Sequence, residues 1–352
     1  MTIMRNILKK TGGRLLAAFV FVPVLAATLF AADADLELRD QAKAIFGVLP
    51  ASMPSPGNPI TPEKVKLGAT LFWEPRISVD RTVSCVKCHP LGLYATDGLK
   101  KALGNNCREN PRNAPTVFNA ASQISAHWIG NRTGVEDQAK QALIGPPSFG
   151  MPDYASVEKV LKGMQGYVAM FKAAFPGEKD PVTAENFAKA VGAFERTLVT
   201  PSAFDDFLLG KTDALTSRQI RGLRAFMDTG CMTCHFGPFL GGQMYQKFGM
   251  FEPYEKYTKS EKVDEGRFAV TKNLDDKFFF KVPVLRNVAE TPPYFHDGSV
   301  SKLTDAVVIM AKIQLGKDLE QDQAGDIAAF LDSLTGRIPQ AVLIVPVLPY
   351  ED

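Results

Sequence analysis

Two pentads, Cys85-Val86-Lys87-Cys88-His89 and Cys231-Met232-Thr233-Cys234-His235, constrain this chain more than any other feature. They use four of its five cysteines and two of its four histidines, leaving Cys107 alone. A Cys-x-x-Cys pair by itself fits a redox dithiol or half of a zinc site. A histidine directly after the second cysteine, twice, points instead to c-type haem attachment. Two thiols add to the two vinyl groups of one porphyrin, and the adjacent imidazole reaches the iron. A chain of 352 residues is long enough to wrap each such group in a core of its own.

The sequence around the pentads repeats. Thr61-Pro62-Glu63-Lys64 has the N-cap, proline and acid of a helix start, followed by Val65, Leu67, Leu71 and Phe72 at helical spacing. Thr216-Ser217-Arg218-Gln219 opens a similar stretch with Ile220, Leu223 and Phe226. Each carries a glycine, Gly68 or Gly222, where a partner helix can approach closely. Amphipathic closing helices are expected over 186–198 and 324–336, the latter ending on Gly336. The fold class this predicts is all-α: two tandem cytochrome c-like domains, 35–200 and 201–336, with little β structure. The tail 337–352, rich in Val and Pro, is expected to run extended and return to the first domain.

The N-terminus reads as a targeting segment. Arg5, Lys9, Lys10 and Arg14 precede an apolar run from Leu15 to Ala32 and an Ala32-Asp33-Ala34 cleavage site. This predicts a signal peptide over 1–34 and a periplasmic location, with an uncleaved membrane anchor as the alternative. The formal charge is only +2, and these four cations supply it, so the mature chain is near neutral or mildly acidic. Such a balance argues against a nucleic-acid partner, which would want a basic stripe.

With the pentads stand Pro111-Arg112-Asn113-Ala114-Pro115-Thr116, Trp128, Leu285-Arg286-Asn287, Pro293-Tyr294-Phe295-His296 and Met310-Ala311. In this order and spacing the chain resembles the bacterial di-haem cytochrome c peroxidases and their MauG-type relatives, over nearly its whole mature length. The resemblance implies two covalent haems c with a calcium ion between the domains. The second haem would receive electrons through a His235–Met310 iron, since a thioether favours the ferrous state. The first, on His89, would meet hydrogen peroxide. Asn113, with the carbonyls of Thr291 and Pro293, matches the calcium ligands; oxygen donors suit that hard cation. Gln138 matches a pocket glutamine and Trp128 a tryptophan that relays charge between the haems. Arg286 is expected to pair with a haem propionate, which a guanidinium binds well. Implied partners are a small periplasmic donor, either a c-type cytochrome or a cupredoxin, and a second copy of the chain in a homodimer.

Two positions depart from that pattern. Asn105 stands where the family has a removable distal histidine, and Gly150 where it has an acid–base glutamate. Asp153 is the nearest acid able to substitute. Without the histidine the first iron would be open at rest; without the glutamate, peroxide cleavage would slow by about 10²–10⁴-fold. The expected function is therefore peroxide reduction. The alternatives are MauG-like oxidation of a protein side chain and a non-catalytic di-haem electron carrier or ligand sensor. Cys107 lies near Asn105 as a structural thiol, with iron ligation or an intermolecular disulfide as alternatives. His127 and His296 read as hydrogen-bonding histidines rather than ligands.

Overall fold

A computed structural model describes residues 35–350 except 261. Within them the helices of six residues or more are α1 (35–46), α2 (Pro62–Phe72), α3 (Val135–Ile144), α4 (Tyr154–Lys162) and α5 (Gln165–Ala174). They continue with α6 (Ala184–Glu195), α7 (Ala203–Leu208), α8 (Ser217–Thr229), α9 (Leu303–Leu315) and α10 (Gln321–Asp332). Strands β1 (Tyr245–Lys247) and β2 (Phe279–Lys281) form one antiparallel ribbon, with Gln246 opposite Phe280. The expected signal peptide lies outside the described residues. No helix among those described is long and apolar enough to cross a membrane.

Each half is organised on one helix crossing. Thr61 caps α2 by accepting from the Lys64 N–H, and Thr183 caps α6 by accepting from the Asn186 N–H. These helices meet so closely that a Cβ on Gly68 would lie 1.9 Å from the Ala190 carbonyl oxygen. In the second half a reciprocal Thr216–Gln219 capping box starts α8, and Gly230 ends it at φ 98°. A Cβ on Gly222 would again lie 1.9 Å from a carbonyl oxygen, that of Asp326 on α10. Edge-on or tilted rings flank both crossings: Phe72–Phe194 at 5.4 Å and Phe226–Phe330 at 5.2 Å.

The chain ends are exchanged between the halves. Leu38, Ala42 and Phe46 put one stripe of α1 into the second core, where Phe46 meets Phe204 edge-on at 5.7 Å. Residues 35–46 therefore pack away from the domain in which the sequence reading put them. In the first core α4 and α5 supply Val157, Leu161, Tyr167 and Phe171 instead. The tail runs the other way. Ile338 and Val342 pack on the first core, and Arg76 Nη2 donates to the Pro349 carbonyl at 2.7 Å.

A seam joins the halves beside the ribbon. The Ile124 N–H donates to the Gly242 carbonyl at 2.9 Å, and the Lys281 N–H to the Trp128 carbonyl at 2.7 Å. Segment 120–132 of the first half is thus held on the strands of the second.

Candidate functional site

Both pentads open into one continuous cavity of about 550 Å³. Cys85, Cys88 and His89 line one part of it; Cys231, Cys234 and His235 line another. In each pentad the histidine N–H closes a turn onto the carbonyl of the first cysteine, at 2.9 Å for His89 and 3.0 Å for His235. Both cysteines of each pentad thereby sit on the same cavity wall as the imidazole. His89 Nδ1 donates to the Ala95 carbonyl and His235 Nδ1 to the Leu240 carbonyl, each at 3.1 Å. A carbonyl only accepts, so this fixes the proton on Nδ1 and leaves the Nε2 lone pair for a metal. Burial keeps both imidazoles neutral and lowers the His235 pKa to about 4.

The four pentad cysteines form no disulfide. Burial raises the Cys88 and Cys231 thiols to about 11 and Cys85 further still. Unbridged thiol pairs, an iron-ready imidazole and a mostly apolar wall fit a covalently held haem at each pentad.

Met310, on α9, lines the same cavity as His235, and it is the one methionine among the described lining residues. Met232, Met244 and Met250 lie outside that lining, and Met250 is 52% exposed. Gln138, Trp128, Asn113, Thr291 and Pro293 also line the cavity. Trp128 Nε1 donates to the Asn113 carbonyl at 2.9 Å, tying the indole to that loop. Asn113 Nδ2 donates to the Leu99 carbonyl at 2.9 Å, which leaves the side-chain oxygen free.

One assignment from sequence is corrected, and another has a protein partner the sequence did not show. Asp153 is exposed and outside the cavity lining; its carboxylate accepts from the Ser156 N–H at 2.7 Å as the N-cap of α4. It is a capping residue, not a pocket acid. Arg286 does line the cavity, but its guanidinium is spent on Asp205 at 2.6 and 2.8 Å and on the Pro238 carbonyl at 2.7 Å. Its fork already holds a buried carboxylate, and of its five N–H groups one Nη2 hydrogen has no partner among the described residues.

The two substituted positions face each other in the loops over the first pentad. Asn105 is fully buried, and its Nδ2 donates to the Pro146 and Ser148 carbonyls at 2.6 and 2.8 Å. Its own N–H donates to the Ser148 carbonyl at 3.1 Å, and Asn110 Nδ2 to the Pro147 carbonyl at 2.9 Å. This asparagine fastens two loops together, and neither Asn105 nor Gly150 lines the cavity. Gly150 has φ +71°, and a Cβ there would lie 2.4 Å from Asn105 Nδ2. Cys107 is exposed, carries φ +56° and also lies outside the lining. His127 lines the cavity, held by Asn131 Oδ1 at 3.0 Å, and burial brings its pKa to about 4.

Several lining residues escaped the sequence reading. Glu195, at the end of α6, is the one carboxylate among the described lining residues. Burial and the nearby Glu136 raise its pKa to about 8, so it is protonated at neutral pH. Gln141, one turn beyond Gln138 on α3, lines the cavity too, as do Arg132 and Lys281. Only the closing-helix pattern offered a signal: Glu195 continues the buried face of Val191 and Phe194.

Residues 62–213 match the family model described as di-haem cytochrome c peroxidase. The chain is similar to cytochrome c551 peroxidase of Pseudomonas aeruginosa, 42% identical over 323 residues and covering 90% of this chain and 91% of that protein. It is 32% identical over 335 residues to methylamine utilization protein MauG of Methylorubrum extorquens, covering 90% and 91%. Its fold is similar to the crystal structure of a MauG-like protein associated with microbial copper homeostasis. That match has a TM-score of 0.74 and 26% identity, covering 85% of this chain and 97% of the other.

Proposed function

Because the chain belongs to the family of di-haem cytochrome c peroxidases, we propose that it is an exported enzyme that reduces hydrogen peroxide to water. The electrons come from a small periplasmic c-type cytochrome or cupredoxin. The observation that supports this reading is the shared cavity, whose lining includes His89, His235 and Met310. Two covalent haems c, on the two pentads, supply electron storage at the second site and peroxide chemistry at the first.

The residues around them divide the work. His235 and Met310 hold the electron-entry iron. His89 would hold the peroxidatic iron, and neither Asn105 nor Gly150, at the two substituted family positions, lines the cavity. The Gln138 side chain, on the cavity wall with Gln141 a turn away, orients the bound peroxide by hydrogen bonding. Glu195, not Asp153, is the group able to hold a proton at the cavity, and its raised pKa suits proton exchange near neutral pH. Trp128 lines the same cavity as both pentads and is assigned the relay of charge between them. Asn113 Oδ1 and the carbonyls of Thr291 and Pro293 are assigned to one calcium ion; neutral oxygens completed by waters make a weak site that a chelator empties.

A second reading, MauG-like oxidation of a protein side chain, is favoured by Gly150 standing where the acid–base glutamate is expected. Steady-state peroxide turnover with a reduced small c-type cytochrome separates the two. Turnover that consumes donor in proportion to peroxide supports the peroxidase. No donor-linked turnover, with the chain itself still oxidised by peroxide, supports the second reading.

A further inference from the structure

Buried hydrogen-bond donors around the cavity outnumber their acceptors at one place, the seam. Lys281, at the end of β2, is only 7% exposed, and its ammonium meets just the Gln123 side-chain oxygen. No carboxylate pairs with it among the described residues, and burial alone lowers its pKa to about 8. Arg132 Nη1 donates to the Asn131 carbonyl at 2.6 Å, but its Nε has no partner. His296 Nε2 is likewise unpartnered, with Asp264 too far away at 3.9 Å for a hydrogen bond. All three line the cavity. Lys281 and His296 also flank Trp128: the Lys281 N–H bonds the Trp128 carbonyl, and the His296 ring meets the indole edge-on at 6.4 Å.

The other cations of the wall are not in this position. Arg112 makes a two-pronged pair with Asp264 at 2.7 and 2.9 Å, and Arg286 does so with Asp205. Burying a charge without a counter-charge costs several kcal/mol, and buried donors almost always find acceptors. Glu195, the carboxylate of the lining, acts on Cys85 and is protonated at neutral pH, so it supplies none. The missing acceptor must come from what fills the cavity, and a haem brings two propionates.

We propose that Lys281, supported by Arg132 and His296, holds a haem propionate at the seam and thereby raises the reduction potential of that haem. The proposal rests on the reading of two covalent haems. Reduction adds negative charge to the haem, and a desolvated cation beside it favours the added electron. Lys281 thereby offers a propionate a cation that no carboxylate of the described residues already pairs, unlike Arg286.

The test uses the holoprotein, with haems first counted by intact mass; fewer than two in the wild type would overturn both this proposal and the reading beneath it. Midpoint potentials are then measured by spectroelectrochemistry for the wild type, Lys281→Gln and Lys281→Arg. Lys281→Gln should move one haem's ferric–ferrous ratio about tenfold toward ferric, equal to about 59 mV for one electron, while Lys281→Arg stays close to wild type. Arg132→Gln should move the same haem in the same direction by less, and it serves if Lys281→Gln fails to fold. Unchanged potentials in both glutamine variants would overturn the proposal, as would equal shifts in Lys281→Gln and Lys281→Arg. Added acetate should leave the wild-type potentials where they are. A shift with acetate would mean that Lys281 takes a free carboxylate, which overturns the propionate assignment.

Discussion

At Gly68 and at Gly222 the two halves make the same contact, a bare α-carbon against the backbone carbonyl of a closing helix. Around the pentads they diverge. The second half puts Met310 on the cavity wall that also carries His235, whereas the loops over the first hold Asn105 fastened to Pro146 and Ser148 and outside the cavity lining. Past the crossing, the cavity-lining residue is the buried acid Glu195 on α6 and the apolar Leu331 on α10. The crossing recurs in both halves, and the residues added around it make the two pentad surroundings chemically different. A repeated frame thus carries two differently lined sites.

The largest effect should come from the frame itself. Gly68→Ala and Gly222→Ala each drive a methyl into a backbone carbonyl that cannot swing aside. Each should cost about 3 kcal/mol, against the gain of up to about 1 kcal/mol that alanine brings at an open helix site. Denaturant unfolding of the two variants checks this, and a loss in only one half would break the equivalence of the crossings.

Glu195 should give a smaller, pH-dependent effect that the second half lacks. Its folded pKa, about 8, lies above the ordinary glutamate value of 4.5. Between those values the folded state holds a proton that the unfolded state has lost, so stability falls as pH rises and levels off above about 8. Glu195→Gln should flatten that slope and leave the variant more stable at pH 8 by on the order of 2 kcal/mol. A slope of equal size in wild type and variant would show that another group titrates there.

Met310→Ala sharpens the difference between the irons. It should remove the weak charge-transfer absorption of a ferric Met–iron bond and lower the potential of the second haem, leaving the first unchanged. If neither signal moves, another residue completes that iron. The smallest effect concerns Gly150. Its φ of +71° and the adjacent Asn105 oppose any side chain there, so Gly150→Glu should cost about 1–2 kcal/mol without speeding the peroxide reaction. Stopped-flow mixing with peroxide checks it: a faster reaction would mean that the loop rearranges to present the acid.

Much of this frame could be read from the sequence, because it rests on local patterns. The pentads, the Thr61 and Thr216 caps and the crossing glycines are each contained in a few neighbouring residues. What the sequence concealed depends on distant pairings. Arg286 looked free for a propionate because Asp205, its partner, lies far off in the chain. Lys281 and Glu195 resemble surface charges until the fold buries them. Asp153 was open to a better reading, since an Asp three residues before Ser156 at a helix start is an N-cap pattern. The packing of α1 on the second core is a property of the whole fold.

The central claim, one closed iron and one open iron in a repeated frame, is tested most directly by electron paramagnetic resonance of the diferric holoprotein with and without cyanide. The account predicts a low-spin signal from the His235–Met310 site beside a high-spin signal from the His89 site. Cyanide should convert the high-spin signal to low-spin without prior reduction. Two low-spin signals and no cyanide binding before reduction would contradict it, because a side chain of this protein would then already close the first iron.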